Sequence, residues 1–123
     1  MLSKLKQLLG LQRPVRWIDC AGLTSSGAAA RPVMIDVRGA DEFDGPPGHI
    51  DGAVNVPVDV IVAGTADLAR WRDSEIVLVC RTDKRSARAA DSLAAAGFPR
   101  IAVLRGGMQS WNALGLPVTR AGG

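Results

Sequence analysis

Ile76-Val77-Leu78-Val79-Cys80-Arg81-Thr82-Asp83-Lys84-Arg85-Ser86 passes from four apolar residues to a cysteine and then to a cluster of cations. The short apolar run Ile76–Val79 predicts a buried strand. From Ser86 onward, Ala87, Arg88, Ala89, Ala90, Asp91, Ser92, Leu93 and the alanines to Ala96 predict a helix, with Gly97 as its C-terminal cap. A strand feeding a helix through so short a loop aims backbone N–H groups and a helix N-terminus at one small volume. Cys80 stands on the rim of that volume.

The flanking chain repeats the pattern. Val15–Ile18 predicts a first strand after Pro14, and Asp19 caps a short helix through Leu23. Val33–Val37 predicts a second strand and Ala40–Phe43 one helical turn. Gly45-Pro46-Pro47-Gly48 is a turn. Ala53–Val56 predicts a short strand closed by Pro57, and Val58–Trp71 a helix in two pieces broken near Gly64. Ile101–Leu104 is the last strand, and Gly106-Gly107 opens a helix through Leu114. Ser25–Ala30 reads as a loop and Thr119–Gly123 as a loose tail. Strands apolar on both faces, alternating with helices, predict an α/β fold whose mostly parallel sheet is covered on both sides. Ligands in such sheets gather at the carboxyl ends of strands, where Cys80 lies.

The 123 residues suit one domain, and 47% of them are hydrophobic, enough for an ordinary core. No apolar run approaches the ~20 residues of a membrane span, so no transmembrane segment is expected. A formal charge of +3 with few aromatics suits anionic small molecules or acidic proteins, and no nucleic acid partner is expected. Residues 1–13 form an extension in which Leu2, Leu5, Leu8 and Leu9 share one helical face. It reads either as a terminal helix packed on the domain or as a docking or membrane-surface helix. It lacks the cleavage site of a signal peptide. Two cysteines, Cys20 and Cys80, are too few for a disulfide framework, and their spacing matches no metal motif. A single disulfide stays open; a reduced, cytoplasmic setting is the simpler expectation.

Free cysteine titrates near about 8.5, and helix N-termini and nearby cations lower that value. Arg81, Lys84 and Arg85 crowd Cys80, whereas inert buried positions avoid unpaired charge. Cys80 is therefore the candidate nucleophile, against the alternative of a small core residue. Cys20, with no cationic neighbour but Arg16, reads as a core-packing or partly exposed residue. The only histidine, His49, lies in another segment, so activation by the loop's own field is expected rather than a Cys–His dyad. Loop length separates two chemistries. A phosphatase loop has the form Cys-x5-Arg, but here Arg85 gives Cys-x4-Arg and Ser86 takes the next place. The shorter cradle favours a single sulfur atom over a phosphoryl group, with phosphatase or arsenate-reductase chemistry as the disfavoured alternative.

Four motifs then appear in order: Met34-Ile35-Asp36-Val37-Arg38, Gly48-His49-Ile50-Asp51-Gly52-Ala53-Val54-Asn55-Val56-Pro57, the Cys80–Ser86 loop, and Arg105-Gly106-Gly107-Met108-Gln109-Ser110-Trp111 followed by Gly115-Leu116-Pro117-Val118. Together they resemble a single-domain rhodanese, of the rhodanese-like sulfurtransferase superfamily, over residues 14–118. The resemblance implies a five-stranded parallel sheet with helices on both faces. It implies that Cys80 is catalytic, taking the outer sulfur of an anionic donor such as thiosulfate as a persulfide and passing it to cyanide or a thiol. A thioredoxin-like or other sulfur-carrier protein could be that acceptor. No cofactor and no metal are implied. The loop residues Arg81, Thr82, Asp83, Lys84, Arg85 and Ser86 would bind the donor, with Asp36 and Arg38 as support or, alternatively, as a surface ion pair. His49 resembles a scaffold position, Gly106 and Gly107 permit close backbone approach, and Trp111 packs in the core or roofs the site. One departure stands out: many active members have glycine where this chain has Asp83. A second function class therefore stays open, a sulfur-relay or regulatory module whose donor is a protein persulfide.

Overall fold

The computed structural model describes residues 15–25 and 31–120. The expected N-terminal helix, most of the Ser25–Ala30 loop and the last three residues of the tail lie outside them. Five strands, β1 (Arg16–Ile18), β2 (Val33–Asp36), β3 (Val54–Asn55), β4 (Ile76–Val79) and β5 (Ile101–Leu104), form one sheet in the order β1-β5-β4-β2-β3. Every strand pair is parallel. Among the described residues the helices are α1 (Cys20–Thr24), α2 (Ala40–Phe43), α3 (Val58–Val62), α4 (Lys84–Ala95) and α5 (Gly107–Ala113), with a 3-10 turn at Ala69–Trp71.

Strand parity sorts the core into two layers, because successive side chains point to opposite faces. Ile76 and Leu78 of β4 pack with Ile61 of α3 and with Ala89, Ala90 and Leu93 of α4. Val77 and Val79 pack on the other face with Cys20 and Leu23 of α1 and Met108 and Trp111 of α5. Cys80 keeps the parity of Ile76 and Leu78 and lies in the α4 layer. The two cysteines are thus free thiols on opposite faces of the sheet, which removes the disulfide left open by the sequence.

The helices begin and end for local reasons. The Asp19 carboxylate accepts the Gly22 N–H at 2.7 Å and caps α1, as expected. α4 starts two residues earlier than the sequence suggested, at Lys84, with Asp83 as its N-terminal flank. The alanine-rich pattern locates the body of that helix but not its first turn, which is polar and cationic. At the other end Ala96 is the last cap residue and Gly97 follows at φ +94°. The Phe98 N–H returns to the Leu93 carbonyl and that of Gly97 to Ala94, a Schellman closure. The segment expected as a two-piece helix holds only α3 and the 3-10 turn.

One alternative is removed and one expectation is corrected. Asp36 and Arg38 are not a surface pair: their side chains are 1% and 3% exposed. The Asp36 carboxylate accepts from Arg38 Nε and Nη2 at 2.9 and 2.8 Å, and Nη2 also donates to the Gly48 carbonyl. Two opposite charges so close in sequence resemble a solvent pair, but here they lie among buried residues at the end of β2, with Arg38 bonded on to the Gly48 carbonyl. The tail does not loosen at Thr119 either, because Thr119 and His49 exchange both backbone hydrogen bonds. His49 is a scaffold residue, its ring stacked on Phe43 with centroids 3.6 Å apart. Trp111 belongs to the core, 2% exposed, with Nε1 donating to the Pro117 carbonyl.

Removing one member of a buried pair strands the other charge. Asp36→Ala is expected to cost about 3–5 kcal/mol in urea unfolding. An Asp36→Leu/Arg38→Met double variant should recover more than half of that loss.

Candidate functional site

Connections leave neighbouring strands in opposite directions at one point in the sheet. β2 leads outward to β3 on one side, and β4 leads to β5 on the other. The crevice between the carboxyl ends of β2 and β4 is the topological switch point, where α/β sheets bind ligands. Cys80 ends β4 there, 1% exposed. Asp36 and Arg38 end β2 beside it, and the Val37 N–H donates to the Val79 carbonyl to hold the two strand ends in register.

The loop after Cys80 is fixed by α5. Met108 N–H donates to the Cys80 carbonyl at 2.8 Å and Gln109 N–H to the Arg81 carbonyl at 2.9 Å. Gly107 lies against the same row, at φ +52°, and a Cβ there would collide with the carbonyl oxygens of Cys80, Arg81 and Thr82. Across a trans peptide the carbonyl and the next N–H point in opposite directions. Carbonyls turned onto α5 therefore turn the N–H groups of Arg81, Thr82 and Asp83 away from it. Lys84, Arg85 and Ser86 follow as the first turn of α4, whose N–H groups have no intrahelical acceptor. Among the described residues, no N–H from Arg81 to Ser86 has a hydrogen-bond partner. This run of free donors adjoins the positive end of a helix, the arrangement that holds anions.

The predicted loop residues divide into groups. Arg81, Thr82 and Lys84 are exposed, Asp83 and Arg85 half-buried, and Ser86 buried. The Ser86 Oγ is buried without a hydrogen-bond partner among the described residues. The Asp83 carboxylate neither caps α4 nor pairs with Lys84 or Arg88. Its carbonyl accepts the Ala87 N–H at 2.8 Å. Cations at a helix N-terminus oppose the helix dipole, and the structure offsets one of them.

Glu42 of α2 grips Arg85 with both oxygens, at 2.6 and 3.0 Å, and also accepts the Gly39 N–H. Sequence reasoning missed this partner. The available signal was charge balance: an acid on the β2–α2 connection, at the same sheet edge as an unpaired cation cluster. The bidentate Arg85 bond holds the Glu42 carboxyl below its usual range, despite partial burial that opposes it. Arg85 is raised in turn, first by its bond to Glu42. Cys20 is the contrast: burial, then Asp19, push its thiol upward and keep it protonated.

Beside the loop lies an open pocket of about 490 Å³. Asp41 and Glu42, the Pro46–Pro47 turn, Arg81, and Gln109 and Asn112 of α5 wall it.

Known proteins are similar to this chain in sequence and fold. The rhodanese-like domain family matches residues 22–114. YibN of Escherichia coli, an uncharacterized protein, is 29% identical over 89 residues, which are 72% of this chain and 61% of YibN. The chain thus spans less than two thirds of that relative's length. A sulfurtransferase of Allochromatium vinosum is 31% identical over 105 residues, 85% of this chain and 94% of its own. Among solved structures, a rhodanese-related protein of Thermoplasma volcanium superposes with a TM-score of 0.70 at 29% identity, covering 85% of this chain and 97% of its own.

A carboxyl whose folded pKa is lowered contributes stability above its unfolded pKa and loses it as pH falls through the folded value. Wild type and Glu42→Gln are therefore expected to differ in urea midpoint at neutral pH. The two midpoints should converge as pH falls below about 4.

Proposed function

From its membership of the rhodanese-like domain family, we propose that this chain is a sulfurtransferase that carries sulfane sulfur as a Cys80 persulfide. The observation that carries the reading is the loop itself. Cys80 sits at the switch point under a run of free N–H donors, with α5 holding the opposite carbonyls. The name of the Allochromatium vinosum relative supports the same chemistry.

The Cys80 thiolate attacks the outer sulfur of a donor such as thiosulfate. A new sulfur–sulfur bond forms to Cys80, the donor's own sulfur–sulfur bond breaks, and sulfite departs with the electron pair. The persulfide carries negative charge on its outer sulfur. The N–H groups of Arg81 through Ser86 are the donors available to it, fixed before the reaction so that no reorganisation is required. Arg81 and Lys84, exposed and without an ion-pair partner among the described residues, attract the anionic donor. Arg85 acts at shorter range, steadied by Glu42. Asp36 and Arg38 act as support, holding the neighbouring strand end. In the second half, cyanide or a thiolate takes the outer sulfur and Cys80 leaves as thiolate. The cycle is covalent and two-step, so ping-pong kinetics follow. It needs Cys80 reduced, which suits a reducing compartment such as the cytoplasm.

Asp83 favours a second reading. Its carboxylate, without an ion-pair partner among the described residues, sets a negative charge beside an anion site. It would weaken free thiosulfate relative to a donor positioned by contacts elsewhere, such as a protein persulfide.

Intact-protein mass spectrometry distinguishes these outcomes. Thiosulfate is expected to add one sulfur atom to the wild type, cyanide to remove it, and Cys80→Ser to remain unchanged throughout. Asp83→Gly should lower the KM for thiosulfate several-fold. A wild-type mass that shifts only with a protein persulfide would assign the relay reading, and one that never shifts would overturn both.

A further inference from the structure

On the face of the sheet that carries α3 and α4, an apolar groove of about 360 Å³ opens between the two helices. Buried Ile61, Leu68 and Leu93 line it, with Val62, Ala95 and Phe98 more exposed. Val60 and Val62, both on α3, are among the large hydrophobic side chains left in solvent. Exposed acids flank the groove on both sides. Asp67 stands between the lining residues Ala66 and Leu68, and Asp59 lies one helical turn before Val62. On the α4 side Asp91 lies one turn before Ala95. None of the three has an ion-pair partner among the described residues. A cation at one end, Arg72, is already committed: both terminal nitrogens donate to the Ala96 carbonyl, and the guanidinium lies over the Phe98 ring.

The chain carries a complement to this groove. Residues 1–14 contain Lys4, Lys6 and Arg13 and no acid. At helical spacing, Leu2, Leu5, Leu8 and Leu9 share one face, and Lys4 and Lys6 fall on its opposite flanks. A helix this short is marginal in water unless its apolar stripe is packed. Gly10 supplies a stop, and Pro14 disfavours helix at Arg13. The point of attachment also fits. Val15, the residue this segment leads into, packs on the same core layer as Ile61, Leu68 and Leu93. Arg16 is in register with Ala102, so the segment joins the sheet beside the Phe98–Ile101 connection, at the Phe98 end of the groove. Residues 10–14 reach about 17 Å when extended, and residues 2–9 cover about 12 Å as a helix. We propose that the groove between α3 and α4 is the docking site of the chain's own residues 2–9, held as a helix with the leucines in the groove and a lysine toward the acids on each side. The Cys80 loop, at the other end of α4, stays open. The docking is independent of the persulfide reading.

Nuclear magnetic resonance of the full chain tests it. Leu5 and Leu8 methyl groups are expected to show nuclear Overhauser effects to the Phe98 ring. Leu5→Asp/Leu8→Asp should abolish them and shift the backbone amide signals of residues 61–68 and 92–98, while those of β2 stay in place. Contacts that appear only between differently labelled chains in a mixed sample would give the groove to a second copy and overturn intramolecular docking. Groove amides unmoved by the leucine variant would overturn it as well. Sedimentation of the wild type, but not the variant, with phosphatidylserine vesicles would in that case assign the segment to a membrane surface.

Discussion

Gly107 pressed against the carbonyl oxygens of Cys80, Arg81 and Thr82 is the contact on which the site depends. No other residue fits there, because a Cβ would meet three oxygens and the backbone is left-handed. With the Met108 and Gln109 N–H groups bonded to two of these carbonyls, the loop has one face committed to α5. Its other face must then present donors. The anion-holding character proposed for the loop thus follows from peptide geometry: what α5 takes in acceptors, the loop offers as donors.

The sheet supplies the position of that loop. β4 is the central strand, buried along its length, and its parity sets the Cys80 side chain in the α4 layer while the Cys80 carbonyl meets α5. The helices on the two sides therefore serve different atoms of one residue. The neighbouring β2 end is held by the buried Asp36–Arg38 pair. Through Gly48 that pair also anchors the turn that walls the pocket. Charge placement follows the same economy of partners. Arg85 is balanced by Glu42, while Arg81 and Lys84 stay exposed at the mouth.

Much of this was legible in the residues. The apolar run Ile76–Val79, the cationic loop and the Gly106-Gly107 pair identify the strand, the site and the close approach, because each depends on local composition. The parallel five-stranded sheet and the Asp19 cap were legible for the same reason. What escaped depends on distant chain segments meeting. Glu42 and Arg85 are joined only by the crossover that brings α2 to the loop, and the Arg38 bond to the Gly48 carbonyl joins the end of β2 to a later turn. The antiparallel bridge between His49 and Thr119 joins segments too far apart for any local pattern. The early start of α4 was hidden by the charge of its first turn, which composition alone assigns to a loop.

The central claim is that the loop's N–H groups, displayed by α5, hold sulfur on Cys80. A crystal structure of the thiosulfate-treated protein, with sulfur located by anomalous scattering, tests it most directly. The predicted result is one added sulfur bonded to the Cys80 Sγ and within hydrogen-bonding distance of N–H groups between Arg81 and Ser86. Added sulfur on Cys20, or on Cys80 but directed away from those groups, would contradict it.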